Sequence, residues 1–341
     1  MTGPGTRLLV VAGESSSDLL CAALLRQMKR IREDLAFVGV GGERMRSEGV
    51  ELVAHVKELA VVGLSEVLGK GPKIMSVYGE IKRIIRSGDV DGVILVDYPE
   101  FNLAVAGRAR EAGIPVIYYV SPQVWAWRRG RTKKIARLVD LMLVLFEFEV
   151  GFYEGAGVPA RFVGHPLLDT VQSSTDRESF LREVGVDASD RVLAILPGSR
   201  AKEVERHLGI FLEAASIVDS RIEQGQLRPV VALADTIDNQ AVDRIIANHT
   251  SAICVRGRTY DVLNSAEAAL VASGTATLEA AILGVPMVVG YRVSLTSYVM
   301  GRLMVSVDKI SLPNIVAGHH GVPELIQHRL CLLYTSDAAT N

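Results

Sequence analysis

Short apolar runs recur along the chain, separated by longer stretches in which apolar residues return every three or four positions. The runs RLLVVA (7–12), AFVGV (36–40), GVILVD (92–97), PVIYYV (115–120) and LMLVL (141–145) are rich in β-branched and aliphatic residues and predict buried strands. Residues 17–32 follow Ser16 and Ser17, set Leu20, Leu24, Leu25 and Met28 on one face, and close on Lys29, Arg30 and Arg32. That pattern predicts a first helix packed on the sheet. The rhythm returns in VLAILP (192–197), RPVVALA (228–234), AICV (252–255), AALVAS (268–273) and PMVVGY (286–291). Strands alternating with helices in this way make βαβ units, so the chain is predicted to be α/β, with two doubly wound, Rossmann-like domains of similar size facing a cleft. The boundary is set by composition: VGHPLLD (163–169) gives way to the polar stretch TVQSSTDRES before a new helix over 176–184. The expected domains are residues 1–170 and 171–330.

Length and composition support that division without adding a partner. The 341 residues are 49% hydrophobic and 22% charged, enough apolar content for two ordinary domains. Net charge is −2, so no global field favours nucleic acid, and any basic site is local. Cys21, Cys254 and Cys331 have neither disulfide-framework nor zinc-site spacing, which points to a reducing compartment. The first apolar run is too short for the core of a signal peptide. Runs such as 138–146 and 281–289 fall well short of the ~18 residues that cross a bilayer, so any membrane contact is expected to be peripheral.

The chemistry is expected where predicted strands end. GESSSD (13–18) lies between the first strand and first helix, where free N–H groups suit a polar or anionic ligand; Glu14 could orient sugar hydroxyls, and Asp18 could do so or cap the helix. VDYPEFN (96–102) closes a strand with Asp97 and adds Glu100, either a general base held at a strand end or a turn-forming Asp. VSPQVWAWRRGRTKKIAR (120–137) sets Trp125 and Trp127 beside Arg128, Arg129, Arg131, Lys133, Lys134 and Arg137, which suits an anionic lipid surface or is a solvated helix face. LPGSRAKEVERH (196–207) delivers Arg200 from a tight turn, either to a diphosphate or to a surface pair with Glu203. ASGTATLEAAILGVP (272–286) runs Ser273, Gly274 and Thr275 into a helix with Glu279 one turn on, a nucleotide cradle with a ribose-binding carboxylate or an ordinary cap. His165 sits at the expected hinge, where a packed ring is favoured over a ligand. No metal spacing, GxSxG elbow or Walker loop occurs, which removes metal hydrolysis, serine hydrolysis and P-loop chemistry.

Taken in order, GESSSD, GVGGERM (39–45), ELAVVGLSEVL (58–68), VDYPEFNL, YYVSPQVWAW, VGHPLLD, LPGSRAKEV, SGTATLEA and SLPNIVAG with VPELIQ (311–327) resemble the lipid-A-disaccharide synthases, inverting glycosyltransferases of two-domain GT-B architecture. The resemblance implies transfer of 2,3-diacylglucosamine from UDP onto 2,3-diacylglucosamine 1-phosphate, giving a β-1,6-linked disaccharide and UDP. It implies a first domain for the lipid acceptor, a second for UDP-sugar, no cofactor, no metal, no nucleic-acid partner, and an enzyme on the inner face of the inner membrane of a Gram-negative cell. It also implies Asp97 as base with Glu14 and Glu100 nearby, and substrate contacts from Asp18, Trp125, Arg200, Ser273, Gly274, Thr275, Glu279 and Asn314. Two positions depart from the family pattern: Ser17 stands where the family usually has Gly, and Glu100 where it usually has Asp. Rival expectations are an N-acetylglucosamine 2-epimerase built on the same plan and a non-catalytic nucleotide-sugar or lipid-binding module. The last residues, CLLYTSDAATN (331–341), break the pattern and are expected to be foreign to the fold, in place of C-terminal helices usual for the architecture.

Overall fold

The computed structural model describes residues 5–59, 64–125, 129–223, 225–235, 237, 239–247, 252–294 and 309–334. The chain forms two compact units, Met1–Pro166 and Leu167–Asn341. The first carries strands β1 (Arg7–Ala12), β2 (Ala36–Gly41), β3 (Val50–His55), β4 (Gly92–Val96), β5 (Val116–Tyr119), β6 (Leu141–Val144) and β7 (Ala160–Phe162). Between and after them run helices α1 (Ser15–Ile31), α2 (Glu43–Ser47), α3 (Val56–Leu59), α4 (Leu64–Ser87), α5 (Pro99–Glu111), α6 (Thr132–Leu138) and α7 (Glu147–Glu154). The strands form one parallel sheet in the order β3-β2-β1-β4-β5-β6-β7.

Both faces of this sheet are buried, which is why its strands read as unbroken apolar runs. Successive residues alternate between two cores: Leu9, Val11, Val93, Leu95 and Tyr118 pack with Ile81 of α4 and Val105 of α5, while Val10, Ala12, Ile94 and Val96 pack with Cys21 and Leu25 of α1. The sequence pattern omits β3 and β7. Each lies at an edge of the sheet, and β7 is only three residues long with Arg161 and Phe162 exposed, so neither shows the fully apolar signature of a central strand.

The second unit repeats the plan. It contains β8 (Arg191–Leu196), β9 (Leu227–Leu233), β10 (Ile253–Arg256), β11 (Ala268–Ala272), β12 (Met287–Tyr291) and β13 (Glu324–Ile326), again parallel, in the order β10-β9-β8-β11-β12-β13. Its helices are α8 (Leu167–Thr170), α9 (Arg177–Val184), α10 (Ala201–Asp219), α11 (Asn239–Ile246), α12 (Thr259–Ser265), α13 (Thr275–Ile282) and a last short helix, Leu312–Ala317. A 3-10 helix, Gln327–Tyr334, follows β13 and buries Leu330 completely. Of the stretch expected to be foreign, residues 331–334 continue that 3-10 helix and 335–341 lie outside the described residues.

The polar stretch read as a linker is tied down within this unit. Asp261 of α12, 3% exposed, accepts from the Ser173 hydroxyl at 2.7 Å, the Ser174 amide at 2.6 Å, the Ser174 hydroxyl at 2.8 Å and the Thr175 amide at 3.1 Å, and it pairs with Arg258. Burial alone pushes its carboxyl up, but Arg258 and the serine donors outweigh burial and hold it well below the usual carboxylate range. A folded value below the unfolded one stabilises the fold above the ordinary value of about 4, and that stabilisation is lost as pH falls through the folded value. Asp261→Asn is expected to cost about 3 kcal/mol at pH 7, with the gap to wild type narrowing below about pH 4, as read by urea unfolding across a pH series.

Candidate active site

In a doubly wound sheet, ligands collect outside the carboxyl ends of the strands where strand order reverses. In the first unit that place lies between β1 and β4. Ala12 pairs with Val96, so Gly13–Glu14 and Asp97–Tyr98 leave the sheet side by side. Asp97 and Tyr98 both have positive φ, 49° and 47°. Left-handed backbone at non-glycine residues costs about 1–3 kcal/mol each and persists only where surroundings enforce it. The enforcement is visible. The Asp97 amide keeps its bond to Tyr119 O at 3.0 Å, while its carbonyl accepts from Asn102 Nδ2 at 2.7 Å and from the Tyr118 hydroxyl at 2.6 Å. The Tyr98 ring lies against Gly13, where a Cβ would stand 2.3 Å from a ring carbon, so only glycine fits there. The Tyr98 hydroxyl donates to Leu59 O at 3.1 Å.

Burial and the neighbouring Glu14 carboxylate push the Asp97 carboxyl above its ordinary value, against a weaker opposing bond from the Tyr98 amide. Glu14 itself is exposed. The pair thus combines a half-buried carboxyl of raised proton affinity with a second carboxylate open to solvent, which suits proton transfer to or from a hydroxyl.

Several residues expected beside them have other duties. Glu100 is 69% exposed and ion-paired with Arg131 at 2.7 Å, so the longer side chain at this position points into a surface pair. Asp18, 5% exposed, caps α2 and not its own helix: its Oδ1 accepts from the Gly42 amide at 2.6 Å and the Met45 amide at 3.1 Å. Ser17 is 1% exposed, and its hydroxyl has no partner among the described residues. Trp125 is buried; its Nε1 donates to Glu149 Oε1 at 3.1 Å and its ring meets Phe148 edge-on at 5.1 Å. It anchors its segment to the fold and is not laid out as an interfacial ring. Trp127 and Arg128 lie outside the described residues, while Lys133, Lys134 and Arg137 are exposed on α6. His165 is half-buried and tilted against Phe146 at 5.3 Å, and burial pushes its pKa down, as befits a packed neutral ring.

The second unit reverses strand order between β8 and β11. Leu196 pairs with Val271, which brings the PGSR turn and the SGT turn to one place. A cavity of about 350 Å³ opens there, lined by Gly198, Arg200, Ser273, Gly274, Thr275 and Glu279 among others. Gly198 has φ 124°, and a Cβ would sit 2.5 Å from Glu203 Cβ, so the turn closes only on glycine. Glu203 shapes the loop: its Oε2 accepts from the Ser199 amide at 3.1 Å and the Arg200 amide at 3.3 Å, while Oε1 meets Arg200 Nη1 at 3.0 Å. Arg200 is 78% exposed; it is paired with Glu203, and it also lines the cavity. The Ser273 hydroxyl donates to Ile310 O at 2.7 Å and is therefore engaged, while Gly274, Thr275 and Ala276 at the start of α13 line the cavity. Glu279 accepts from the Tyr260 hydroxyl at 3.1 Å, and burial raises its carboxyl despite that bond.

Asn314 is outside this constellation. It is 1% exposed, its Nδ2 donates to Val322 O at 2.8 Å and Glu324 Oε1 at 2.7 Å, and its Oδ1 accepts from the amides of Gly321 at 2.9 Å and Val322 at 2.8 Å. A carboxamide has two donors and two acceptor sites, all of them used here, so Asn314 braces its short helix against the segment 321–324 that leads into β13. Asn102, Tyr118 and Tyr260 are polar neighbours of the candidate sites that sequence reasoning left unassigned, and Glu203 was read only as a surface partner of Arg200. Only spacing within DYPEFN could have signalled Asn102.

The lipid-A-disaccharide synthetase family model matches residues 8–339. The lipid-A-disaccharide synthase of Geobacter metallireducens (strain ATCC 53774 / DSM 7210 / GS-15) is 46% identical over 327 residues, 96% of this chain and 85% of its own length. That of Syntrophus aciditrophicus (strain SB) is 46% identical over 322 residues, 94% of this chain and 84% of its own. Among solved structures, the UDP-GlcNAc 2-epimerase of Neisseria meningitidis bound to UDP-GlcNAc superposes with TM-score 0.63 at 12% identity, covering 98% of this chain and 92% of that one. MurG of Acinetobacter baumannii gives 0.56 at 14%, covering 98% and 91%. Those likenesses establish the GT-B fold, which epimerases and transferases share. The sequence kinship is specific where the fold is not, and by it the chain belongs to the lipid-A-disaccharide synthase family of glycosyltransferases.

Proposed function

We propose that this chain transfers 2,3-diacylglucosamine from UDP to the 6-hydroxyl of 2,3-diacylglucosamine 1-phosphate, with Asp97 as general base. The acceptor hydroxyl gives its proton to Asp97 as its oxygen attacks the anomeric carbon. The bond from that carbon to the diphosphate oxygen breaks on the opposite face, UDP leaves, and a single displacement inverts configuration. Glu14 orients acceptor hydroxyls and raises the proton affinity of Asp97. Charge developing on the diphosphate is met by Arg200 and the free amides at the start of α13, while Glu279, held by Tyr260, takes the ribose hydroxyls. The observation that carries the reading is Asp97 itself: a half-buried carboxyl at a strand end, in an enforced conformation, with its proton affinity raised.

The lipid substrates imply work at a membrane surface. Among the described residues no helix is long and apolar enough to cross a bilayer. Contact is proposed to be peripheral, at the inner face of the inner membrane, through the exposed cations of α6 with the segment before them. No nucleic-acid partner and no cofactor are proposed.

Asp97→Asn is expected to lower kcat by 10²-fold or more while UDP affinity stays within about twofold, since general bases contribute roughly 10²–10⁴-fold; retention of more than about a tenth of the wild-type rate removes Asp97 as base. Because the ionised form is the active one, the acid limb of the kcat/KM profile should lie above the ordinary Asp value of about 4. Arg200→Ala should weaken UDP binding about tenfold or more by calorimetry, the scale of one charge-assisted bond; unchanged affinity overturns the diphosphate assignment. Sedimentation should show salt-sensitive binding to anionic vesicles that weakens when Lys133, Lys134 and Arg137 are replaced together by Gln, and equal binding to neutral vesicles overturns the basic-surface assignment.

A further inference from the structure

Asn102 is completely buried on the second turn of α5, beneath the point where β1 and β4 part. Its Nδ2 lies 2.7 Å from Asp97 O, 3.2 Å from Val96 O and 3.4 Å from Val11 O, so one amide group gathers carbonyls at the ends of both central strands. Its Oδ1 is buried with no partner among the described residues. A buried orphan acceptor is a cost that packing alone does not require, and such costs gather where a backbone is held against its preference. Tyr118, fully buried on β5, reaches the same Asp97 carbonyl from the neighbouring strand at 2.6 Å. That carbonyl joins the two residues of positive φ, at 49° and 47°, and its direction sets how the peptide between Asp97 and Tyr98 is turned.

We infer that Asn102 and Tyr118 are positioning residues for the transfer: by clamping the Asp97 carbonyl from two elements they hold the left-handed turn that keeps the Asp97 carboxylate beside Glu14. The inference rests on the assignment of Asp97 as base and adds what keeps it in place. Neither side chain needs to touch substrate. With the carbonyl released, the 97–98 peptide relaxes toward an ordinary extended or helical conformation, and the carboxylate leaves its half-buried position at the end of β4, beside the loop that carries Glu14. A purely architectural pair would alter stability and leave the proton chemistry untouched.

Tyr118→Phe removes one hydroxyl and nothing else, and Asn102→Leu removes the carboxamide at similar volume. Each is assayed with both lipid substrates across a pH series, beside wild type and Asp97→Asn. Tyr118→Phe is expected to lower kcat about tenfold and Asn102→Leu by about tenfold to a hundredfold, on the scale of one and two lost hydrogen bonds, with acceptor KM and UDP affinity within about twofold. The acid limb of kcat/KM should move down in both variants, toward the value of an ordinary solvated Asp, because a released carboxylate regains water and loses the company of Glu14. If Asn102→Leu does not fold, Tyr118→Phe decides alone. Wild-type kcat with an unmoved acid limb in Tyr118→Phe overturns the inference while leaving Asp97 as base. High activity in Asp97→Asn overturns the base assignment instead, so the two failures are distinguishable.

Discussion

Each strand of the two sheets pairs in parallel with its neighbours, so each return of the chain must cross a face of the sheet before the next strand begins. Two consequences follow from that one constraint. The central strands lose all contact with water and become the apolar runs of the sequence, and their carboxyl ends fall on a single edge, where loops are free of ladder hydrogen bonds. Where strand order reverses, neighbouring loops diverge to opposite faces and leave a crevice between them. Gly13–Glu14 beside Asp97–Tyr98, and the PGSR turn beside SGT, occupy those crevices because the pairings Ala12–Val96 and Leu196–Val271 put them there. The candidate sites of both units are thus located by register before any side chain is chosen.

Carboxylates crowd these edges, and what surrounds each one sorts its work. Asp18 and Asp261 face clusters of amide or hydroxyl donors and are spent on fastening loops. Glu100 has a guanidinium and open solvent. Asp97 has burial and another carboxylate, and Glu279 has burial and one phenol. Arg258 and the hydroxyl and amide donors hold Asp261 ionised, whereas burial leaves Asp97 and Glu279 with raised proton affinity. The distinction lies in the second layer of atoms and not in residue type.

That layer also marks the limit of what the sequence discloses. The two-domain α/β plan was legible because both faces of each sheet are covered, which turns strands into unmistakable runs; edge strands β3, β7 and β13 were not, since an edge needs no such run. The turns that carry Asp97 and Arg200, and the helix that carries Glu279, were legible as loop or helix-start signals that follow apolar runs. Asp18 and Asn314 were expected to touch substrate, yet Asp18 takes the amides of Gly42 and Met45, 24 and 27 residues away, and Asn314 bonds backbone groups 7 to 8 residues away together with the Glu324 carboxylate. Trp125 was drawn toward lipid by its neighbours' charges, but a buried carboxylate on α7 claims its N–H. Such contacts depend on which loops the fold brings together, and no local spacing encodes them.

Glu203 has a consequence for the proposed diphosphate role of Arg200. With its two oxygens it both builds the turn that presents Arg200 and engages one edge of the guanidinium, at Nη1. On that proposal an incoming nucleotide would meet a cation already held by a resident anion, and a departing one would leave behind a partner ready to take its place. Such an arrangement would trade tightness for turnover: the cation would stay oriented through the empty interval, while the free energy of holding product would be reduced by whatever the internal pair is worth.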